Sequence, residues 1–327
     1  MIEKYKVGKN IEATYDPKTE TVEFYSDNGT LRRDWVRCMQ LRRNSIKVIR
    51  VAEGVVYLPK DAGGRTTGGH ALFGGLTSLR EFHAQNMDTS NVTNMSYMFY
   101  RCYELQNLDI RSFNTSNVKN MLGMFLHCSS LKHINMAGID TSKVTDMEHM
   151  FGGCTNMQSF DATSIDTRNV VRMSSMFHGC ARLQSLDLGK FNTSNVTDMN
   201  YMFFGCDNLK SLNLNGLNTS KVQRMAGMFG SCKNLIKLDL SSLDTIRVTS
   251  MTGMFEGCKR LTNLDLSGFD TSNVEDMRRM FAGCARLESV VINTCINEHV
   301  DTANMFSKCP DSIEIISSTD YKGAAAS

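Results

Sequence analysis

Phe191-Asn-Thr-Ser-Asn-Val-Thr-Asp-Met199, followed by Met202-Phe-Phe-Gly-Cys206 and Leu209-Lys-Ser-Leu212-Asn-Leu214, decides the fold, because near copies return every 26 residues. The Met-Phe pair marks the period. Met98, Met124, Met150, Met176, Met202, Met228, Met254 and Met280 each stand 26 residues after the one before. Leu72-Phe73 precedes the series by one period, and Met305-Phe306 follows it after 25 residues. Numbered from the Met, the consensus is M-F-x-G-C-x-x-L-x-x-L-D-L-S-x-F-D-T-S-N-V-T-D-M-x-x. A fixed period of this length is the signature of a solenoid, in which each unit buries its apolar faces only against its neighbours.

The repeat also explains an unusual composition. Of the 22 Met, 17 fall at positions 1 and 24, and 9 of the 11 Cys fall at position 5. The Cys column contains no sequential Cys-x-x-Cys pair of the kind that holds zinc. Stacked side chains that all point the same way also oppose disulfide formation. The column therefore reads as buried free thiols packing as small apolar groups, with no metal and no cofactor.

Each repeat reads as two short elements. Leu-x-x-Leu-x-Leu at positions 8, 11 and 13 suits a short strand with position 12 facing outward. Positions 21, 24, 1 and 2, such as Val196, Met199, Met202 and Phe203, are spaced for one face of a helix. The preceding Asp/Asn-Thr-Ser-Asn offers N-terminal caps, and Gly-Cys ends the helix. The expected fold is α/β: a right-handed leucine-rich-repeat-like solenoid with a parallel sheet on the concave face and short helices on the convex face. The Thr-Ser-Asn row is expected to form a hydrogen-bonded ladder between coils.

Three segments follow. Residues 1–71 break the period and read as an N-terminal cap. Ile11–Tyr15 and Thr21–Tyr25 suggest a hairpin, a helical stretch carries the only Trp, Trp35, and Ile46, Ile49 and Val51 copy the repeat strand. A Gly-rich link, Gly63–Gly69, joins this segment to the array. Residues 72–304 hold nine tandem repeats, the ninth with Cys295 in place of the usual Phe or Leu. Residues 305–327 form a partial repeat or C-terminal cap with a tail, Lys322–Ser327.

A formal net charge of +2 argues against nucleic-acid binding driven by overall charge. No run approaches the roughly 18 apolar residues of a membrane span, and Met1–Asp16 lacks the apolar core of an export signal. The seven His are scattered, and neither Gly-x-Ser-x-Gly, a phosphate loop nor His-Glu-x-x-His occurs. The chain is therefore expected not to be an enzyme.

Two candidate surfaces remain. The outward position 12 is Asp109, Asn135, Asp161, Asp187, Asn213, Asp239 and Asp265. Its carboxylates could meet a basic or polar ligand, or form a solvated row kept by duplication. The second candidate is a basic patch in the N-terminal segment, Arg32, Arg33, Arg37, Arg42 and Arg43. Residues 1–71 hold 13 Lys+Arg against 9 Asp+Glu, which suits an anionic partner or simply a solvated face.

The strings Phe269-Asp-Thr-Ser-Asn-Val-Glu-Asp-Met277, Phe191–Met199 and Phe113-Asn-Thr-Ser-Asn-Val-Lys-Asn-Met121, each followed by Met-Phe, resemble the 26-residue repeat of BspA-like leucine-rich-repeat bacterial surface proteins. The resemblance covers about 72–316. It implies a non-enzymatic protein- or glycan-binding solenoid used in adhesion or host contact, at the cell surface or secreted. The alternative is an intracellular or particle-borne interaction scaffold.

Overall fold

A computed structural model describes residues 3–64, 71–292 and 299–317. Most of the expected Gly-rich link, together with His70, Cys295 and the Lys322–Ser327 tail, lies outside the described residues. The chain divides into two compact units, Met1–Asn169 and Val170–Ser327.

In Met1–Asn169, β1 (Lys4–Asp16) and β2 (Thr21–Leu31) pair antiparallel, from Asp16 opposite Thr21 to Gly8 opposite Leu31, with a bulge between Lys9 and Ile11. Alternation along these strands buries Ile11, Ala13, Val22 and Phe24. The outer edge of β2 starts a parallel ladder. It pairs with β3 (Val48–Glu53) and with β4 (Val56–Tyr57), which pair in turn with β5 (Glu81–Phe82) and β6 (Met87–Asp88). A four-residue helix, α1 (Trp35–Cys38), ties this hairpin to the first coil. The Trp35 ring meets Phe24 edge-on at 5.2 Å and Phe73 at 6.3 Å, and its indole N–H donates to the Leu72 carbonyl at 2.9 Å. Further on, β7 (Asn107–Asp109) pairs parallel with β8 (His133–Asn135).

In Val170–Ser327, β9 (Ser185–Asp187) pairs parallel with β10 (Ser211–Asn213), and β11 (Asn263–Asp265) begins a three-stranded parallel sheet with β12 (Ser289–Ile292) and β13 (Glu314–Ser317). Repeat strands such as β7, β9 and β11 are three residues long and bury only the middle one. The solenoid of parallel strands is thus the observed architecture in both units.

The other side of each coil differs from expectation. Among the described residues the only α-helix is α1; the Met-x-x-Met-Phe segments are runs of tight turns. Their N–H groups alternate between two partners. Met98, Tyr100 and Cys102 donate three residues back, to Met95, Tyr97 and Phe99, while Tyr97, Phe99 and Arg101 donate to Leu122, Met124 and Leu126 of the next coil. A helix spends every N–H on its own turn and could not make the second set. Two left-handed residues per coil impose the turns. One precedes the Met-Phe pair, as at Tyr97, Gly123, Tyr201 and Gly227; the other stands at position 4, as at Arg101, Gly153 and Gly205. Such residues interrupt a right-handed helix.

Cross-linking by backbone holds the turns at strand-like spacing. Phe73, Phe99, Phe125 and Phe151 stack with centroids 5.5–5.8 Å apart in the first unit. Phe177, Phe203, Phe229, Phe255, Phe281 and Phe306 do so at 5.1–6.0 Å in the second. The Val, Met and Cys columns beside these rings are buried. Thiols of the column donate to a carbonyl of the coil before, as Cys128 to Phe99 at 3.1 Å and Cys232 to Phe203 at 3.2 Å. Burial pushes the thiols of Cys102, Cys154 and Cys206 up to about 12, so they stay protonated and unreactive.

The polar row is a ladder in both directions. Thr141, Thr193, Thr219 and Thr245 are buried, and their hydroxyls donate to a carbonyl of the following coil at 2.8–2.9 Å. Asn117, Asn169 and Asn273 donate to a carbonyl of the preceding coil at 2.6–2.9 Å.

Candidate functional site

Position 12 faces outward in every one of these coils, at the end of a short strand for Asp109, Asn135, Asp187, Asn213 and Asp265 and outside any strand for Asp161 and Asp239. Asp109, Asn135, Asp161, Asp187, Asn213, Asp239 and Asp265 are all exposed. Each also serves its own turn, because its Oδ1 accepts the backbone N–H two residues on. The donors are Arg111, Ala137, Thr163, Gly189, Asn215, Ser241 and Ser267, at 2.8–3.1 Å. This is an Asx turn, which ends the strand by substituting a side-chain acceptor for a backbone one. The recurring Asp or Asn is thereby explained structurally, since either supplies that oxygen.

The carboxylates then diverge. Arg111 chelates Asp109, reaching Oδ2 at 2.7 Å, and holds its carboxyl below the usual range. Asn213 Nδ2 donates to Asp187 Oδ1 at 2.8 Å, linking neighbouring coils. The Ser241 hydroxyl, with the Ser241 N–H, lowers the carboxyl of Asp239. The second oxygens of Asp187, Asp239 and Asp265 have no partner among the described residues. Within Val170–Ser327 the row therefore offers three accessible carboxylates and the Asn213 amide.

The N-terminal arginines do not form one patch. Arg32 is paired with Asp34 at 2.8 Å, and Arg33 with Asp61 at 2.9 Å. Arg43 points inward: its Nη1 donates to the Gly74 carbonyl at 2.6 Å, and burial pushes its guanidinium down to about 10. Arg37 and Arg42 are exposed and carry no ion pair among the described residues. Three of the five are thus committed, two to carboxylates and one to carbonyls near the first coil.

A second set of exposed charges was missed in the sequence. Arg182, Lys259, Arg260 and Arg286 stand at positions 6 and 7, in the turn before the strand, and all are exposed. They share no motif, and only repeat numbering shows that they occupy one place in successive coils. An open polar depression of about 480 Å³ near the β1 bulge, among Lys6, Glu12, Tyr25, Asp27 and Glu53, belongs to neither set. Among the described residues no three His, Cys, Asp or Glu side chains converge to hold a metal ion. No described helix is long and apolar enough to cross a membrane.

Solved structures similar to the chain include three bacterial repeat proteins. A leucine-rich-repeat protein of T. pallidum is 20% identical, covering 69% of this chain and 88% of that one, with a TM-score of 0.38. A leucine-rich cell surface protein of Faecalibacterium prausnitzii is 16% identical over 99% and 96% of the two chains, with a TM-score of 0.36. A leucine-rich-repeat protein of Bacteroides ovatus is 15% identical over 96% and 98%, with a TM-score of 0.32. Scores this low support no inference about the chain, whose fold rests on its own coils. No curated protein matches it. A family model described as Mycoplasma protein of unknown function, DUF285, matches residues 70–165, 133–234 and 204–318. Because those matches take in nearly every repeat and well over half of the sequence, the chain belongs to the DUF285 family.

Proposed function

We propose that the protein is a non-enzymatic binding module of the bacterial surface, with a protein or glycan ligand engaged across the outward strand row. The observation that carries this reading is the division of labour along each coil. Positions 1, 2, 5, 21 and 24 are fixed and buried, while the flanking outward positions 9 and 10 vary from coil to coil, as in Lys210-Ser211, Ile236-Lys237 and Thr262-Asn263. A rigid scaffold with a changing exposed face suits recognition, in which specificity lies in surface detail. The three accessible carboxylates, Asp187, Asp239 and Asp265, favour a ligand that donates hydrogen bonds or carries positive charge there.

The test separates turn chemistry from charge. Asp187→Asn, Asp239→Asn and Asp265→Asn keep the turn acceptor and remove the charge, whereas Lys at the same places would also remove the acceptor. The purified triple variant and the parent chain are screened against extracellular-matrix proteins and a glycan panel. A ligand held by the parent and weakened at least tenfold in the variant, with the chain still folded at the assay temperature, supports the reading. A ligand held equally by both moves recognition off this row.

A further inference from the structure

We infer that Val170–Ser327 carries a separate surface for a linear acidic polysaccharide, formed by unpaired cations in the turn and strand start that precede the Asp row; this rests on reading the chain as a binding module. Each of five successive coils contributes at least one such cation: Arg182, then Lys210, then Lys237, then Lys259 with Arg260, then Arg286. All six are exposed, and none has a carboxylate within 4 Å among the described residues. Lys233, in the same place, is paired with Asp207 at 2.7 Å.

Backbone bonds hold this turn in register from coil to coil. Lys210 N–H donates to the Gln184 carbonyl at 2.9 Å, Asn234 N–H to Asp207 at 3.2 Å, and Glu288 N–H to Thr262 at 2.7 Å. Strand-like spacing puts neighbouring coils about 4.8 Å apart, so the five coils span roughly 19 Å. Adjacent coils are closer than the screening length of about 8 Å at physiological salt, so like charges on them repel one another most where their repeat positions coincide and less where they are offset between positions 6 and 10. An anionic chain laid across the coils relieves this repulsion. The same positions in the repeats of Met1–Asn169 hold only two Lys or Arg: Arg80, paired with Glu104 at 2.7 Å, and Lys132, whose Nζ donates to the Gln106 side-chain oxygen at 3.4 Å.

The residues between the cations choose among polyanions. Apart from Asp207, which is paired with Lys233, and from Glu288 and the exposed Ile236, they are largely amides and hydroxyls, including Gln184, Asn208, Ser211 and Asn263, which suit sugar hydroxyls. Positions 6 to 10 of these coils contain no aromatic side chain, so the stacking platforms that hold single-stranded nucleic acid are missing. The chemistry points to sulfate or carboxylate groups repeated along a hydroxyl-rich chain.

The experiment uses the full chain in roughly physiological salt with immobilised heparin and hyaluronan as acidic polysaccharides, dextran as the neutral one, and duplex DNA as a polyanion without sugar-hydroxyl display. The variant carries Lys259→Gln, Arg260→Gln and Arg286→Gln. The control carries Arg37→Gln and Arg42→Gln, cations of the other unit. The expected result is binding to heparin or hyaluronan and not to dextran, weakened at least tenfold by the triple variant and less than twofold by the control. Equal weakening by both, no binding to either acidic polysaccharide, or DNA held as tightly as heparin overturns the proposal. The triple variant leaves Asp187, Asp239 and Asp265 untouched, so this surface can fail while the Asp row stands, and the reverse.

Discussion

Thr193 and Thr115 occupy the same place in the repeat, and both are buried. The Thr193 hydroxyl donates to the Asn218 carbonyl at 2.8 Å, whereas Thr115 Oγ1 has no hydrogen-bond partner among the described residues. Their replacement by Val should therefore differ in sign. Thr193→Val removes a buried bond and takes a donor from a carbonyl, at a cost of about 1–2 kcal/mol. Thr115→Val exchanges an unsatisfied hydroxyl for a methyl of similar size, so its effect should be near zero or stabilising. Urea unfolding of the two variants under one set of conditions checks this; an equal loss in both would mean that the column's value lies in shape rather than in hydrogen bonding. The sequence pointed to a polar ladder because Thr-Ser-Asn recurs. It could not show that one rung is unmade, since that depends on how two adjacent coils sit, and Thr115 looks in sequence like every other member.

At the scale of the element, the strand half of the repeat was legible, although residues 157–162 and 235–240 form no strand, and the other half was not. Alternation at positions 11 to 13 has one structural reading, but a spacing of three, three and one satisfies a helix and a series of tight turns alike. The distinguishing signal was the glycines. Gly153, Gly179, Gly205, Gly257 and Gly283 stand at position 4, and Gly123, Gly227 and Gly253 at position 26; each has φ between +56° and +75°. Left-handed residues four apart leave no room for a helical turn. Two of these glycines answer an aromatic in the coil before. A Cβ at Gly123 would run into the Tyr97 ring, and one at Gly227 into the Tyr201 ring. Gly227→Ala should cost roughly 1–2 kcal/mol from the left-handed backbone alone, with a further loss from displacing Tyr201. Adding Tyr201→Ser should return the second part only, giving a coupling of at least about 0.5 kcal/mol in a double-mutant cycle. Strict additivity would show that the exposed Tyr201 ring swings aside freely and that the pairing of ring and glycine is incidental.

Across the whole molecule, repetition made the period, the buried columns and the outward row readable, because each was seen many times. The same averaging concealed what differs between coils, so a net charge of +2 gave no sign of the unpaired cations in the second unit or of the committed arginines in the first. Repetition also distributes the carboxylates' role in stability. Asp109 and Asp276 are held low by Arg111 and Arg278, and Asp166 by Arg168. Asp140, Asp239 and Asp270 are held low by the hydroxyl and N–H of Ser142, Ser241 and Ser272. Asp276 lies lowest, at about 2. In the unfolded chain these groups titrate near 3.9. Below that value the unfolded state binds protons that the folded state refuses, so the stabilisation is complete above about pH 4 and is lost as pH falls toward 2. Thermal melts between pH 2 and 7 should give a melting temperature that is flat from pH 5 to 7 and falls below about pH 4. Asp276→Asn keeps the turn acceptor but removes the group that titrates lowest and its pairing with Arg278. It should lower the plateau slightly and make the fall between pH 4 and 2 shallower. A melting temperature that declines between pH 7 and 5, or one unaffected down to pH 2, would show that the Asx carboxylates do not govern the acid limit of the fold.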